Sequence, residues 1–204
     1  MMDMLDIPHD AVMTRTALIG KLALKEAMEE ASLNPSEQRT VFISGTTVGG
    51  MDKSEQFYLD FLSNDNHKEY IKTHDCGTCS EMIAEAYQGF EMMTTLSTAC
   101  SSAANAIQIG MELIQSGRCD VAVVGGSECI TKFHLNGFNT LMILDKEQCR
   151  PFDQTRAGIN LGEGAGYLVI ESEESVKRRD VKPLCVLSSC ANRCDAFHQT
   201  ASSP

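Results

Sequence analysis

A single cysteine, Cys100, lies among small residues where the sequence changes from a strand pattern to a helix pattern. It belongs to the segment STACSSAANAIQIG at 97–110, which follows the apolar run EMMTTLS at 91–97. A strand that ends in a tight turn and enters a helix exposes the turn residue at the helix N-terminus, where free amide donors favour an anion. Thiolate is the nucleophilic form of cysteine. The pattern therefore indicates a nucleophile, while the spacing alone is equally compatible with a buried thiol that fills space.

The other cysteines show no comparable placement. The chain has nine in all, an odd and scattered number, and its closest pair is Cys76-Gly-Thr-Cys79. A zinc site needs a second pair at suitable spacing, and the group Cys185, Cys190 and Cys194 does not supply one. We therefore predict reduced, ordinary thiols and no bound metal.

The elements that would position Cys100 follow from the periodicity of the sequence. Apolar spacing predicts helices over 14–33 and 101–116, the second with Ala104, Ile107, Met111 and Ile114 on one face. Strand patterns lie at 40–44, 91–99, 120–126 and 166–172, and a glycine-rich turn, GTTVGG, follows the first at 45–50. The strand, helix and strand between 91 and 126 predict a βαβ crossover with parallel strands. The fold class is therefore α/β.

Composition restricts the classes of partner. The chain has 204 residues, 43% of them hydrophobic, and a formal net charge of -11. Such an acidic chain without a basic patch argues against nucleic acid and anionic membrane surfaces as partners. The N-terminus, MMDMLDIPHD, has no apolar core of a signal peptide, so we predict a cytoplasmic protein.

Several long motifs, in order along the chain, resemble those of the β-ketoacyl synthases, the condensing enzymes of fatty-acid and polyketide synthesis. The segment 96–128 around TACSS resembles their nucleophile region, and GTTVGG resembles their glycine-rich loop. Three further matches are Gly137-Phe138, the block CRPFDQTRAGINLGEGAGYLVIE at 149–171, and CDAFHQTASSP at 194–204.

The resemblance implies a thiolase-like αβαβα layered fold, of which this chain carries mostly the first half-repeat with a mixed, largely parallel sheet. Residues 1–182 would form the N-terminal ketosynthase domain without its opening strand, and residues 183–204 would begin the crossover to a second half. The catalytic histidines and lysine of the family belong to that second half. No HGT motif occurs in this sequence.

The resemblance also assigns roles to residues. Cys100 matches the acyl-accepting cysteine, and Phe138, His198 and Thr200 are expected to line the substrate site. Glycines 158, 162, 164 and 166 would let the backbone pass close to the nucleophile turn. A set of residues in the second motif block is expected to support the site, its charged members by pairing with one another: Arg150, Asp153, Arg156, Gly162, Glu163 and Gly164.

The implied function is that of a 3-oxoacyl-[acyl-carrier-protein] synthase. Cys100 would take an acyl group from the phosphopantetheine of an acyl carrier protein, and the complete enzyme would condense it with a malonyl unit, without a further cofactor. The expected partners are acyl carrier protein and a second ketosynthase-like subunit, identical or not, bound through 91–97. On this placement Leu96→Asp would give a monomer or insoluble protein. Two alternatives stay open: a non-catalytic subunit of the chain-length-factor type, and a thiolase-fold acyltransferase that uses coenzyme A thioesters.

Overall fold

Four strands form one mixed sheet in the computed structural model, which describes residues 12–64 and 67–198. The strands are β1 (Thr40–Gly45), β2 (Met92–Leu96), β3 (Val121–Glu128) and β4 (Gly164–Glu171), in the order β2-β1-β3-β4. β1 runs parallel to both β2 and β3, and β4 is antiparallel to β3. The predicted α/β class with a largely parallel sheet is confirmed. The crossover from β2 to β3 spans one intervening strand, because β1 lies between them.

Helices cover both faces of the sheet. In chain order they are α1 (Arg15–Glu30), α2 (Met51–Asn64), α3 (Cys76–Ala84), α4 (Ser102–Gln115), α5 (Lys132–Thr140) and α6 (Glu173–Arg179), with 3₁₀ helices at Pro35–Glu37 and Lys68–His74. One core cluster lies between the sheet and helices α1 and α3, and it contains Leu24, Phe42 and Ile83. A second lies between the sheet and α4, and it contains Ile43, Ala106 and Val124. The residues 182–198 contain neither helix nor strand.

The helix α4 packs on the sheet through its smallest residues. Its buried positions are Ser102, Ala106 and Gly110, whereas Ala104, predicted on the buried face, is exposed. A Cβ atom on Gly110 would lie 2.5 Å from Cγ1 of Val124, so only glycine permits this close approach. Ile107 and Ile114 pack beside this line and are partly buried.

The helix α2 has no buried residue, and it is held by a stack of Phe57 on Tyr70, with ring centroids 4.1 Å apart, together with polar contacts. The Glu55 carboxylate accepts the backbone N–H groups of Lys132 and Phe133 at 2.8 and 2.5 Å, at the start of α5. Ser54 Oγ lies 2.9 Å from Nδ1 of the exposed His74. Within the described residues, no helix is both long and apolar enough to cross a membrane.

Candidate active site

Cys100 lies in a tight turn between β2 and α4, as the sequence predicts. The preceding residue, Ala99, has a φ of +52°, a left-handed conformation that costs about 1 kcal/mol or more for a residue with a side chain. Cys100 itself is exposed, and the first helical residue of α4 is Ser102. The buried-thiol interpretation is therefore wrong, and the thiol stands at the N-terminal end of a 14-residue helix.

Two serine side chains hold this turn closed. Ser102 Oγ accepts the Thr98 backbone N–H at 2.9 Å and donates to the Ala99 carbonyl at 2.7 Å. Ser101 Oγ donates to the Thr98 carbonyl at 2.7 Å. These bonds replace the ones that the backbone cannot make in a sharp reversal, which explains why hydroxyl residues follow Cys100.

The carboxyl ends of the parallel strands bring the glycine-rich loop beside the turn. Gly45 pairs with Leu96 on one side and with Gly126 on the other. The Thr46 backbone N–H donates to the Leu96 carbonyl at 3.0 Å, and Ser97 Oγ donates to the Thr47 carbonyl at 3.1 Å. Ligand sites of open α/β sheets form at this strand edge, so the loop and the turn are placed to act together.

Glu128 fixes the loop from the end of β3. Its carboxylate accepts the Thr46 hydroxyl at 3.2 Å and the Thr47 backbone N–H. This acceptor lies outside the predicted site residues. The signal that could have found it is the acidic residue two positions after the glycines of β3, within GGSE at 125–128.

Gly45 and Gly126, rather than the predicted glycines, bring the backbone close to the nucleophile turn. A Cβ on Gly45 would lie 2.5 Å from the carbonyl carbon of Ser102, and one on Gly126 would lie 3.0 Å from Cβ of Ala103. A Cβ added at Gly162, Gly164 or Gly166 would have no neighbour within 4 Å, and Gly158 packs against residues 143–145. The expectation for the glycines of the second motif block is therefore wrong.

The charged residues of the second motif block do not form one network. Arg150 pairs with Asp145 and Glu147, each at 3.3 Å, and both acids are near it in sequence. Asp153 accepts the hydroxyl and backbone N–H of Thr155, and these bonds lower the pKa of that carboxyl. Arg156 donates to the backbone carbonyl of Asp153 at 3.0 Å, and its side chain does not reach the carboxylate.

Glu163 pairs with Arg15, which sequence analysis did not consider. The guanidinium Nε lies 2.9 Å from Oε2 of Glu163, and this bond lowers the pKa of the carboxyl. The same oxygen accepts the Ile130 backbone N–H at 3.4 Å. Glu163 therefore joins α1 to the segment before β4, and its ion-pair partner is Arg15 in place of the expected Arg150 or Arg156.

The structure describes two of the three predicted substrate-site residues, Phe138 and His198. Phe138 lies on α5 and is half-buried, and His198 is exposed at the end of the described chain. Thr200 lies outside the described residues. A cleft of about 400 Å³ lies between α3 and β2, and Cys100 is not in its lining: Asp75, Cys76, Gly77, Ser80, Glu81, Met93, Thr94, Thr95 and Ser97.

The Cys76 and Cys79 pair opens α3, with Asp75 as the capping residue. Burial raises the pKa of the Cys76 thiol, and raises that of Cys79 to about 12. Cys79 lies 3.3 Å from the Thr14 hydroxyl in the core. In the described part of the chain all nine cysteines are free, and no group of three or more His, Cys, Asp or Glu could hold a metal ion. Raised pKa values are the reverse of what a reactive CxxC pair needs.

The buried thiols make the fold sensitive to alkali. Burial raises the pKa of Cys79 to about 12 and that of Cys129 to about 11. Since an unfolded cysteine ionises near pH 8.5, the unfolded chain releases these protons first as pH rises. We expect the free energy of unfolding to fall between about pH 9 and 11, by about 1.4 kcal/mol per pH unit for each such thiol. Urea denaturation under reducing conditions at several pH values measures it.

The control for this prediction is a double variant, Cys79→Ala with Cys129→Ala. Lysines and tyrosines titrate equally in both proteins, so only the thiol contribution differs. A steeper fall of stability in the unsubstituted protein supports the assignment. Equal slopes in the two proteins would contradict it.

Comparison with known proteins agrees with this geometry. Residues 4–175 match the N-terminal domain of β-ketoacyl synthases. The chain belongs to the β-ketoacyl synthase family. The resemblance to β-ketoacyl synthases that the sequence motifs indicate is therefore confirmed. Cys100 lies in the turn between strand and helix that the sequence pattern predicts.

Two curated relatives of this ketosynthase chain extend the match. Nodulation protein E of Rhizobium meliloti is 32% identical over 197 residues, which cover 93% of this chain and 49% of that protein. The 3-oxoacyl-[acyl-carrier-protein] synthase 2 of Staphylococcus aureus is 29% identical over 216 residues, covering 99% of this chain and 53% of that protein. The chain thus spans about half the length of the curated relatives it matches.

A solved structure, the ishigamide ketosynthase/chain length factor, superposes with a TM-score of 0.76 at 28% identity. The match covers 86% of this chain and 45% of that one. The predicted thiolase-like fold of the ketosynthases is confirmed by this likeness.

Proposed function

We propose that this chain supplies the acyl-accepting part of a 3-oxoacyl-[acyl-carrier-protein] synthase, with Cys100 as the nucleophile. The observation that carries the proposal is the exposed thiol at the start of α4, in a turn that is strained at Ala99 and held closed by Ser101 and Ser102. Backbone strain at a tight turn next to a reactive group is a common feature of functional sites.

The acyl transfer step follows from this geometry. The Cys100 thiolate attacks the carbonyl carbon of an acyl thioester, and a new carbon–sulfur bond forms. Backbone N–H groups at the start of α4 are suited to hold the oxyanion of the tetrahedral intermediate. The bond to the carrier sulfur then breaks, and the carrier leaves as a thiolate that takes a proton from water. Decarboxylation of malonyl thioester and carbon–carbon bond formation are assigned to the complete enzyme.

Acylation of the protein tests the proposal directly. We expect intact-mass spectrometry after incubation with an acyl-[acyl-carrier-protein] to show one added acyl group, located at Cys100 by peptide mapping. Cys100→Ala should take up none, and Cys194→Ala, which removes another exposed thiol, should behave as the unsubstituted protein. An adduct that persists in Cys100→Ala would contradict the proposal.

Alkylation with iodoacetamide gives an independent readout. Burial raises the pKa of four thiols, those of Cys76, Cys79, Cys119 and Cys129, and therefore slows their reaction at neutral pH. The exposed Cys185 and Cys194 are the true competitors. Cys100 should be labelled before either of them.

The same experiments separate the two alternatives. The solved structure that this chain resembles holds a ketosynthase together with a chain length factor, which favours a ketosynthase-like partner subunit as the second candidate. A non-catalytic subunit would take no acyl group from any donor. An enzyme of the thiolase type would accept acyl coenzyme A in preference to the carrier thioester.

The proposed self-association surface is the free edge of β2. This strand pairs with β1 on one side and has no partner strand on the other among residues 12–64 and 67–198. Such an edge is a template for pairing with another chain. Leu96 packs partly against the α4 core cluster, so Leu96→Asp would disturb folding as well. Met93, on the same strand and 46% exposed, is the better probe.

We expect Met93→Asp to convert a dimer into a monomer in light scattering, because a carboxylate placed in a strand-pairing interface loses its hydration. Leu59→Asp is the matched control, since Leu59 is 75% exposed on α2 and lies on no strand edge. An unchanged dimer in Met93→Asp would place the interface elsewhere.

A further inference from the structure

A side-chain network joins the nucleophile turn to the segment after α6. Asn105, one turn into α4, donates from Nδ2 to Thr98 Oγ1 at 2.8 Å and to Ser101 Oγ at 3.3 Å. Its Oδ1 accepts from Nδ2 of Asn192 at 2.8 Å. Both donors and the acceptor of the Asn105 amide therefore have partners.

The partners of Asn105 lie on both sides of Cys100 in the sequence. Thr98 lies two residues before Cys100, and Ser101 lies directly after it, so the Asn105 amide holds both sides of the nucleophile at once. The donors and acceptors in this network are compatible. Ser101 Oγ donates its hydrogen to the Thr98 carbonyl, so it acts as the acceptor in its bond with Asn105.

We propose that Asn105 is a positioning residue for Cys100 and that Asn192 acts on the nucleophile through it. This inference rests on the proposed function. The hydroxyls of Ser101 and Ser102 donate only within residues 98–102, whereas Asn105 extends the same network to another part of the chain. The orientation of the thiol is thereby coupled to the place that the segment 182–198 takes over the first turn of α4.

The chemical consequence concerns alignment of the attacking sulfur. Small displacements of a reacting group slow a reaction strongly even when binding is kept. Without the Asn105 amide, the strained turn at Ala99 keeps its bonds to Ser102 but loses its link to the next turn of α4, and the thiol samples more orientations. Asn192→Ala removes only the outer bond, so its effect should be smaller in size and the same in direction.

The test compares the maximal rate of acyl transfer and the half-saturating carrier concentration in a double-mutant cycle. We expect Asn105→Ala to slow acylation of Cys100 by about tenfold, with Asn192→Ala slowed less. The loss should lie in the maximal rate at saturating acyl carrier protein, and the carrier concentration at half-maximal rate should stay unchanged, because the alignment of the sulfur is altered and carrier binding is not. Because Asn192 acts through Asn105, the double variant should equal Asn105→Ala alone.

Gln108→Ala is the matched control, since Gln108 is another amide on α4 and bonds Glu112 on an exposed face. This control should leave both the maximal rate and the half-saturating carrier concentration unchanged. The inference is overturned if Cys100 is acylated at the same maximal rate in all variants, if only the half-saturating carrier concentration changes, or if the two effects simply add. If Asn105→Ala fails to fold, Asn192→Ala still decides, because Asn192 is exposed. Absence of acylation in the unsubstituted protein would instead overturn the proposed function.

Discussion

Gly45→Ala should destabilise the protein by about 3 kcal/mol and displace the nucleophile turn. The new Cβ would lie 2.5 Å from the carbonyl carbon of Ser102 and 2.6 Å from the backbone N of Ala103. Both are backbone atoms, so no side-chain rotation can relieve the overlap. The strand β1 or the first turn of α4 must move instead. Urea denaturation gives the loss of stability, and the acylation rate of Cys100 reports the displacement.

The matched control is Gly137→Ala. Gly137 lies inside α5, and a Cβ there meets nothing within 4 Å. Because alanine is the better helix former, this change should raise stability by about 0.5–1 kcal/mol. The two substitutions add the same methyl group, and we expect their effects on the free energy of unfolding to have opposite signs. Equal effects, or a neutral Gly45→Ala, would mean that β1 does not approach α4 this closely.

The strand-turn-helix around Cys100 could be predicted from the sequence because its signals are local. The apolar run, the small residues and the helical period stand next to one another in the chain. The parallel direction of β2 and β3 also follows, since a helix crossover between two strands allows little else. The position of β1 between these two strands could not be predicted from local sequence, because β1 lies far from β2 in the chain, at Thr40–Gly45.

The buried faces of the helices were harder to predict because bulky residues dominate a periodicity argument. The helix α1 buries Ala17, Gly20 and Leu24, and α4 buries Ala106 and Gly110. A helix that lies very close to its neighbour must present its smallest residues there. A Cβ on Gly20 would be 2.5 Å from Cδ1 of Ile83. Large apolar residues then pack beside the contact line.

The partners of the supporting residues could not be read from motif spacing. Glu163 pairs with Arg15, 148 positions away, through a contact that depends on how α1 lies on β4. Arg150 forms ion pairs with nearby acids instead, because Asp145 and Glu147 lie in the same loop as Arg150. Charge in a motif block predicts that ion pairs form, and the fold decides which ones.

Phe42→Ala should lower the free energy of unfolding by about 3–5 kcal/mol, the largest loss we expect from a single truncation. Phe42 is fully buried on β1, and its ring centroid lies 5.5 Å from those of both Phe90 and Tyr167. Removing it leaves a cavity between β1, β4 and the segment before β2. The same strand leads into Gly45, so the site should lose order along with the core.

A graded series distinguishes loss of packing from a general effect of the substitution. Phe42→Leu keeps most of the apolar volume and should cost less than half as much as Phe42→Ala. Phe152→Ala removes the same atoms from a fully exposed ring and should change stability by less than about 0.5 kcal/mol. If Phe42→Ala and Phe152→Ala cost the same in denaturation, Phe42 does not belong to the core that supports β1. The packing that holds Gly45 against α4 would then have to come from the other face of the sheet, where Ile43 and Val124 lie.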